Sequence, residues 1–202
     1  PDVEPSAFLA ALRHAADAFW ADADRAAEGR QDLFAARRRV AEGAFERLER
    51  DPGPVVHRIS DHFTRTKEDA CQPFPGALDG LRTCRVRDMR LGLITNGSSE
   101  VQRAKLERYD LEPFFDVIVI EGEFGVGKPD ARVFRAALDA LDARPEDAWM
   151  VGDNLHADIA GAQALGIAGV WHDYSRSGLG DDPPALPRHV IHGWADLVEP
   201  SA

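Results

Sequence analysis

Two aspartates behind one apolar segment are the strongest candidates for chemistry in this sequence. Asp153 follows the apolar run 148–151, and Asp158 lies in the first turn of the helix predicted after it. At that spacing both carboxylates can face one point, and hard oxygen ligands of this kind suit Mg²⁺. The structural alternatives are that Asp153 caps the helix and that Asp158 only pairs with the helix dipole.

A lysine at a predicted helix start is the second candidate. Lys128 lies between Gly127 and Pro129, in a chain whose 24 basic residues include only two other lysines. A cation is electrostatically unfavourable at a helix N-terminus. An arginine-rich chain that places a lysine there is therefore predicted to use it as a compact point charge. A solvated lysine is the alternative.

A hydroxyl, an amide and a glycine turn form the third candidate. Thr95, Asn96 and Gly97 follow the apolar run 91–94 and lead into a predicted helix. Free backbone N–H groups and the helix dipole make such a turn a candidate phosphate-binding site. An ordinary turn, with Ser98 or Ser99 as N-cap, would leave the same pattern.

These three groups are stronger candidates for a binding site together than each is alone. In open parallel sheets, ligands bind beyond the carboxyl ends of the strands. Phosphoryl transfer needs hydrogen bonds and a cation on the phosphate oxygens, together with a bridging metal. We therefore expect Thr95, Asn96, Gly97 and Lys128 to bind a phosphate group.

Buried strands alternating with amphipathic helices must position these groups. Short apolar runs of this kind indicate strands that are buried on both faces, and the alternation predicts right-handed crossovers. The expected fold class is α/β, a Rossmann-like doubly wound parallel sheet. The predicted strands are 91–94, 117–120, 148–151 and 168–171, and the predicted helices are near 99–109, 130–141 and 155–165.

The sequence pattern differs over residues 1 to about 70, which show helical periodicity and no strand signal. We predict one helix capped by Ser6, a second over about 31–50 and a third from Val55. A Pro- and Gly-containing linker at 71–76 separates the halves. The expected domains are therefore 1–72, all helical, and 73–202, α/β.

The overall composition limits the classes of partner that we expect for this protein. The formal net charge is −11, which disfavours nucleic acid and anionic membranes as partners. The two cysteines, Cys71 and Cys84, form no CxxC pair and no disulfide framework. With no signal segment and no long apolar run, we expect a protein located in the cytoplasm, with no membrane partner.

Three segments of the sequence resemble the haloacid dehalogenase (HAD) superfamily, in its phosphatase-like branch: LGLITNGSS, GEFGVGKPDARVF and MVGDNLHADIAGA. By that resemblance Thr95 matches the second motif of the superfamily, Lys128 the third, and Asp153 with Asp158 the acidic fourth. The helical half is similar to a C1-type cap. The resemblance implies Mg²⁺-dependent hydrolysis of a small phosphorylated metabolite through an aspartyl-phosphate.

The superfamily's first motif, an apolar strand ending in Asp-x-Asp, is not found before the helical half. Asp2 and Glu4 mimic its spacing, but no apolar strand precedes them and Pro5 follows. In the superfamily this strand lies between the strands that end at the second and fourth motifs. We therefore expect the nucleophile upstream of Pro1 and an inactive 202-residue chain.

Other functions remain open at this point. A catalytically inactive binding protein of the same fold would also lack the nucleophile. A haloacid dehalogenase proper needs no metal, so the Asp153/Asp158 pair argues against it. In a receiver domain the acidic pair comes early in the chain, whereas here it comes late. The seven histidines show no zinc-ligand spacing.

Overall fold

The computed structural model describes residues 3–198, which form two compact units. The boundary between the units lies between Gln72 and Pro73, within the predicted linker. Asp2, which was considered as a mimic of the missing motif, lies outside the described residues.

The first unit consists of helices, and none of its described residues belongs to a strand, as predicted. Two details of the prediction were wrong. Glu4, not Ser6, is the N-cap of the first helix, and its carboxylate accepts a hydrogen bond from the N–H of Ala7. The helix expected near residue 31 begins at Leu33, because Asp32 caps it and separates it from an additional helix. The helices are α1 (Pro5–Ala21), α2 (Ala23–Gln31), α3 (Leu33–Arg47) and α4 (Val55–Asp69).

The core of the first unit forms where α1 and α3 pack together. Phe19 from α1 is buried against Ala36 and Val40 from α3. Helix α2 approaches this cluster closely at Gly29, where an added Cβ would lie 2.8 Å from the Phe19 ring. The bundle thus depends on apolar positions at helical spacing and on one small residue.

The second unit has the expected α/β architecture of parallel strands and covering helices. All four predicted strands are confirmed within one residue, and a fifth short strand was missed. The strands are β1 (Gly92–Thr95), β2 (Val117–Ile120), β3 (Trp149–Gly152), β4 (Ala168–His172) and β5 (His189–Ile191). The helices are α5 (Ala77–Val86), α6 (Ser99–Arg108), α7 (Glu121–Phe124), α8 (Ala131–Ala140), α9 (Gly161–Gln163) and α10 (Ala195–Val198). A π-helical turn, Leu155–Ala160, leads directly into α9.

The strands pair in two parallel sheets. Strand β1 pairs with β2, with Thr95 opposite Ile120, and β4 pairs with both β3 and β5. Among residues 3–198, β1 and β3 each have one edge without a hydrogen-bonded neighbour. The expected single sheet is therefore divided between the strand that ends at Thr95 and the strand that ends at Gly152.

One hydrophobic core nevertheless joins the two sheets. Helix α8 buries Val133 and Phe134 against Val119 of β2. Ile94 of β1 and Met150 of β3 pack against the same cluster. Because residues from both sheets pack against this one cluster, apolar packing joins β1 and β3 without hydrogen bonds between the two strands.

No helix within the described part of the chain is long and apolar enough to span a membrane.

We expect Phe134→Ala to lower the free energy of unfolding by about 3–5 kcal/mol, because it opens a cavity beneath α8. Phe134 is only 1% exposed. Urea denaturation followed by circular dichroism would measure the change. Val86→Ala is the matched control, because Val86 is 84% exposed and should change stability by less than about 0.5 kcal/mol. Equal effects of the two substitutions would contradict the placement of Phe134 in the core of this unit.

Candidate active site

A buried ion pair lies at the carboxyl edge of the second unit. The Nζ atom of Lys128 is 2.7 Å from Oδ1 of Asp158, and the two side chains are 12% and 5% exposed. The second oxygen of Asp158 accepts a hydrogen bond of 2.9 Å from the N–H of Asn154. Both carboxylate oxygens therefore have partners, which a buried ion pair requires to offset its desolvation.

The last residue of β3 has no side chain because the Asp158 carboxylate occupies the space. A Cβ added at Gly152 would lie 2.5 Å from Cγ of Asp158. Asn154 caps the π-helical turn that follows, since its side-chain oxygen accepts hydrogen bonds from the N–H groups of His156 and Ala157. This turn brings Asp158 back beneath the end of β3.

The backbone of Lys128 is held by the side chain of Asn96. The Lys128 N–H donates to Oδ1 of Asn96 at 2.7 Å, and the Lys128 carbonyl accepts from Nδ2 of Asn96 at 2.8 Å. Gln102 on α6 in turn donates to the carbonyl of Asn96 at 3.0 Å. The turn after β1 and the segment before α8 are thus joined by paired hydrogen bonds, although they are far apart in sequence.

A second carboxylate, Glu121, fixes the glycine turn, and the sequence analysis did not identify it. Glu121 is 6% exposed, and its Oε2 accepts a hydrogen bond of 2.8 Å from the N–H of Gly97. The Gly97 carbonyl accepts from the N–H of Gly122 at 3.0 Å. Gly97 has a φ of 121°, a conformation that favours glycine. A Cβ at Gly127 would lie 2.6 Å from the Glu121 carboxyl carbon, so this carboxylate also contacts the segment that carries Lys128.

The contacts of Asn96 and Gly97 differ from what their position suggested. Both residues were expected to face a phosphate group. In this structure the side-chain amide of Asn96 binds Lys128, and the N–H of Gly97 binds Glu121. In this geometry they hold the turn in place, and direct contact of either residue with phosphate stays a prediction. A signal for Glu121 was present in the sequence, because an acidic residue directly follows the buried run 117–120.

Thr95 ends β1 and is half-buried. Its hydroxyl makes a long contact of 3.5 Å with the carbonyl of Asn96. Because a hydrogen bond at that distance is weak, the hydroxyl can donate to a ligand instead. Helix α6 begins shortly after this residue, and its first N–H groups face the same edge of the sheet.

The start of α6 is anchored to α7. The Ser99 hydroxyl donates to Glu123 at 2.7 Å, and the Arg103 guanidinium binds both oxygens of the same carboxylate. The hydrogen bonds from Arg103, followed by that from Ser99, lower the pKa of Glu123 to about 2. Glu123 is therefore ionised at neutral pH, and it binds side chains of α6 rather than a ligand.

Asp153 is exposed, and among the described residues no side chain pairs with its carboxylate. Its backbone carbonyl accepts a hydrogen bond of 2.9 Å from the indole N–H of Trp171 on β4. Residues 3–198 contain no group of three or more His, Cys, Asp or Glu side chains that could hold a metal ion. Mg²⁺, however, is commonly bound by one or two carboxylates, water and substrate phosphate. The free carboxylate of Asp153 fits such an ion in kind, whereas both oxygens of Asp158 have protein partners.

The structure thus brings most of the predicted residues into one connected network. Asn96 binds Lys128, Lys128 binds Asp158, and Asp158 reaches back to the turn that follows Asp153. Within the described residues, the Thr95 hydroxyl touches this network only through its long contact of 3.5 Å with the Asn96 carbonyl. The arrangement presents a hydroxyl, an oriented ammonium group and a free carboxylate around the carboxyl ends of β1 and β3, which suits the binding of a phosphate group and a metal ion.

Known proteins resemble this chain in sequence. The chain is 44% identical over 114 residues to phosphoserine phosphatase from Thermus thermophilus, which covers 56% of this chain and 45% of the relative. It is 39% identical over 151 residues to ribulose-1,5-bisphosphate 5-phosphatase from Halopiger xanaduensis, which covers 73% of this chain and 63% of the relative. The chain spans about half the length of the curated relatives it matches.

Solved structures share the fold. The HAD-hydrolase YfnB from Bacillus subtilis, bound to magnesium, superposes with a TM-score of 0.72 at 20% identity, covering 98% of this chain and 85% of that one. The model of the haloacid dehalogenase-like hydrolases matches residues 4–166. With the motif residues around one network and most of its length matched by that model, the chain belongs to the haloacid dehalogenase-like hydrolase family.

Proposed function

We propose that this protein is a Mg²⁺-dependent phosphatase that hydrolyses a small phosphorylated metabolite through an aspartyl-phosphate. The observation that carries the proposal is the fixed position of Lys128. Asn96 holds its backbone and Asp158 holds its ammonium group, at the edge of the sheet where Thr95 ends β1 and Asp153 follows β3. A lysine anchored in this way presents a point charge without further reorganisation when a phosphate group binds.

Each residue has a distinct part in the proposed reaction. The Lys128 ammonium neutralises charge on the equatorial phosphate oxygens, and the Thr95 hydroxyl donates a hydrogen bond to one of them. Asp158 holds the Lys128 ammonium group in position. Asp153 would hold Mg²⁺, with water and a phosphate oxygen as further ligands, and Mg²⁺ when bound would supply electrostatic stabilisation to the transferring group.

The proposed nucleophile is an aspartate on a strand upstream of Pro1. The residues in the network are unsuited to attack on phosphorus, because Lys128 and Asp158 neutralise each other and Thr95 has no adjacent histidine. The unpaired edges of β1 and β3 support this proposal. A strand added between them would end beside Thr95 and Asp153.

The relatives support a small phosphorylated substrate. Phosphoserine phosphatase and ribulose-1,5-bisphosphate 5-phosphatase are named for phosphomonoesters of small metabolites. We infer the same substrate class for this protein, and neither nucleic acid nor membrane as partner. A reducing cytoplasm suits two cysteines, Cys71 and Cys84, that form no disulfide.

Lys128→Ala should lower the rate of p-nitrophenyl phosphate hydrolysis by about 10²–10³-fold, in a protein extended upstream to include the nucleophile. The loss follows because one charge partner of the transition state disappears and Asp158 is left buried without its cation. Lys105→Ala on α6 is the matched control and should keep the activity. A loss below about tenfold would contradict the proposed contact between Lys128 and phosphate.

The 202-residue chain should not hydrolyse p-nitrophenyl phosphate in Mg²⁺, whereas a chain extended upstream by an apolar strand ending in Asp-x-Asp should. Steady-state assays of both proteins, with chain length verified by intact mass, would test this. Replacing the first added Asp by Asn is the control and should remove the gained activity. If the 202-residue chain is active alone, the nucleophile has been misplaced, and Asp2 is the first residue to substitute.

A further inference from the structure

Trp171 forms an unusual contact with the backbone of the proposed metal ligand. It lies on β4, directly opposite Gly152 in the parallel register, and it is 5% exposed. Its indole N–H donates a hydrogen bond of 2.9 Å to the carbonyl of Asp153. Strand β4 thus contacts Asp153, the first residue after β3, through a side chain and not through the backbone hydrogen bonds that pair the strands.

The position of Asp153 depends strongly on this contact. Its carboxylate is exposed and has no hydrogen-bond or ion-pair partner among the described residues, so side-chain contacts do not orient it. The backbone at Asp153 lies between the regular ladder of β3 and the capped turn that starts at Asn154. An indole ring that is buried and has few rotatable bonds is a rigid anchor for a carbonyl in such a position.

Satisfying a buried indole N–H does not by itself explain the contact. Trp194, in the same unit, has a buried Nε1 atom that has no hydrogen-bond partner among the described residues. This unit therefore tolerates an unpaired indole nitrogen. The hydrogen bond from Trp171 to the carbonyl of Asp153 therefore needs an explanation other than the pairing of a buried indole N–H.

We propose that Trp171 is a positioning residue of the metal site, which fixes the backbone of Asp153 so that its carboxylate is preoriented for Mg²⁺. The inference rests on the proposed role of Asp153 as a magnesium ligand. Groups that orient a metal ligand typically change metal affinity by about 10–100-fold when they are removed. Without the indole N–H, the Asp153 carbonyl loses its partner, and the carboxylate has to be ordered when the metal binds.

The experiment compares Trp171→Phe with Trp194→Phe in the protein extended upstream to include the nucleophile. Both substitutions keep an aromatic ring and remove an indole N–H, but only the first removes a hydrogen bond to Asp153. Isothermal titration with MgCl₂ should show an affinity about tenfold or more weaker for Trp171→Phe. It should be unchanged within about twofold for Trp194→Phe. Thermal unfolding without Mg²⁺ measures the purely structural effect of each substitution.

The outcomes distinguish failure of the proposed function from failure of the inference about Trp171. If the unsubstituted chain binds no Mg²⁺, or if Asp153→Asn binds it equally well, the proposed function fails and the inference fails with it. If the unsubstituted chain binds Mg²⁺ through Asp153 and Trp171→Phe binds it with equal affinity, only the inference is overturned. Equal weakening by Trp171→Phe and Trp194→Phe would also overturn it, because the effect would then come from altered packing.

A second measurement covers the case in which Trp171→Phe does not fold. In the ¹⁵N–¹H spectrum of the unsubstituted chain, the indole N–H signal of Trp171 should shift during a MgCl₂ titration. The signal of Trp194 should not. An unshifted Trp171 signal in a chain that binds Mg²⁺ through Asp153 would overturn the inference.

Discussion

The ion pair between Lys128 and Asp158 is the interaction on which the candidate site depends. Removing two charges from water is costly, and their attraction offsets that cost only when the remaining polar atoms are also satisfied. The N–H of Asn154 binds the second oxygen of Asp158, and Asn96 binds the backbone of Lys128. Loss of one partner would leave a buried charge uncompensated, which typically costs about 3–5 kcal/mol. The turns after β1 and β3 are therefore held in place by the same contacts that orient the lysine.

Close packing around the carboxylates explains two glycines of the motif segments. At Gly152 a side chain would overlap the Asp158 carboxylate, and at Gly127 it would overlap Glu121. Both are steric requirements, which differ from the conformational requirement at Gly97 with its positive φ. A substitution at either of the first two positions would displace a carboxylate that fixes the network, and so would act on Lys128 indirectly.

The second unit combines a continuous hydrophobic core with a divided sheet. Residues of both sheets pack against the cluster that α8 helps to form, so apolar burial holds β1 and β3 together. Their facing ladders are not joined among the described residues. The core sets the distance between the strands, and the proposed upstream strand would bring its aspartate beside the groups that we propose to bind phosphate and metal. Binding and chemistry would then depend on different segments of the protein.

The sequence by itself determined which segments form strands and which residue types end them. Buried parallel strands need continuous apolar runs, and the polar residues after these runs are visible without any long-range information. Only the tertiary structure decided the partners of those residues: Asn96 on the backbone of Lys128, Glu121 on Gly97 and Trp171 on Asp153. Each of these contacts joins segments that are far apart in sequence. Their geometry depends on how closely helices and strands pack. A local pattern of residues does not determine the distances between elements that are far apart in sequence.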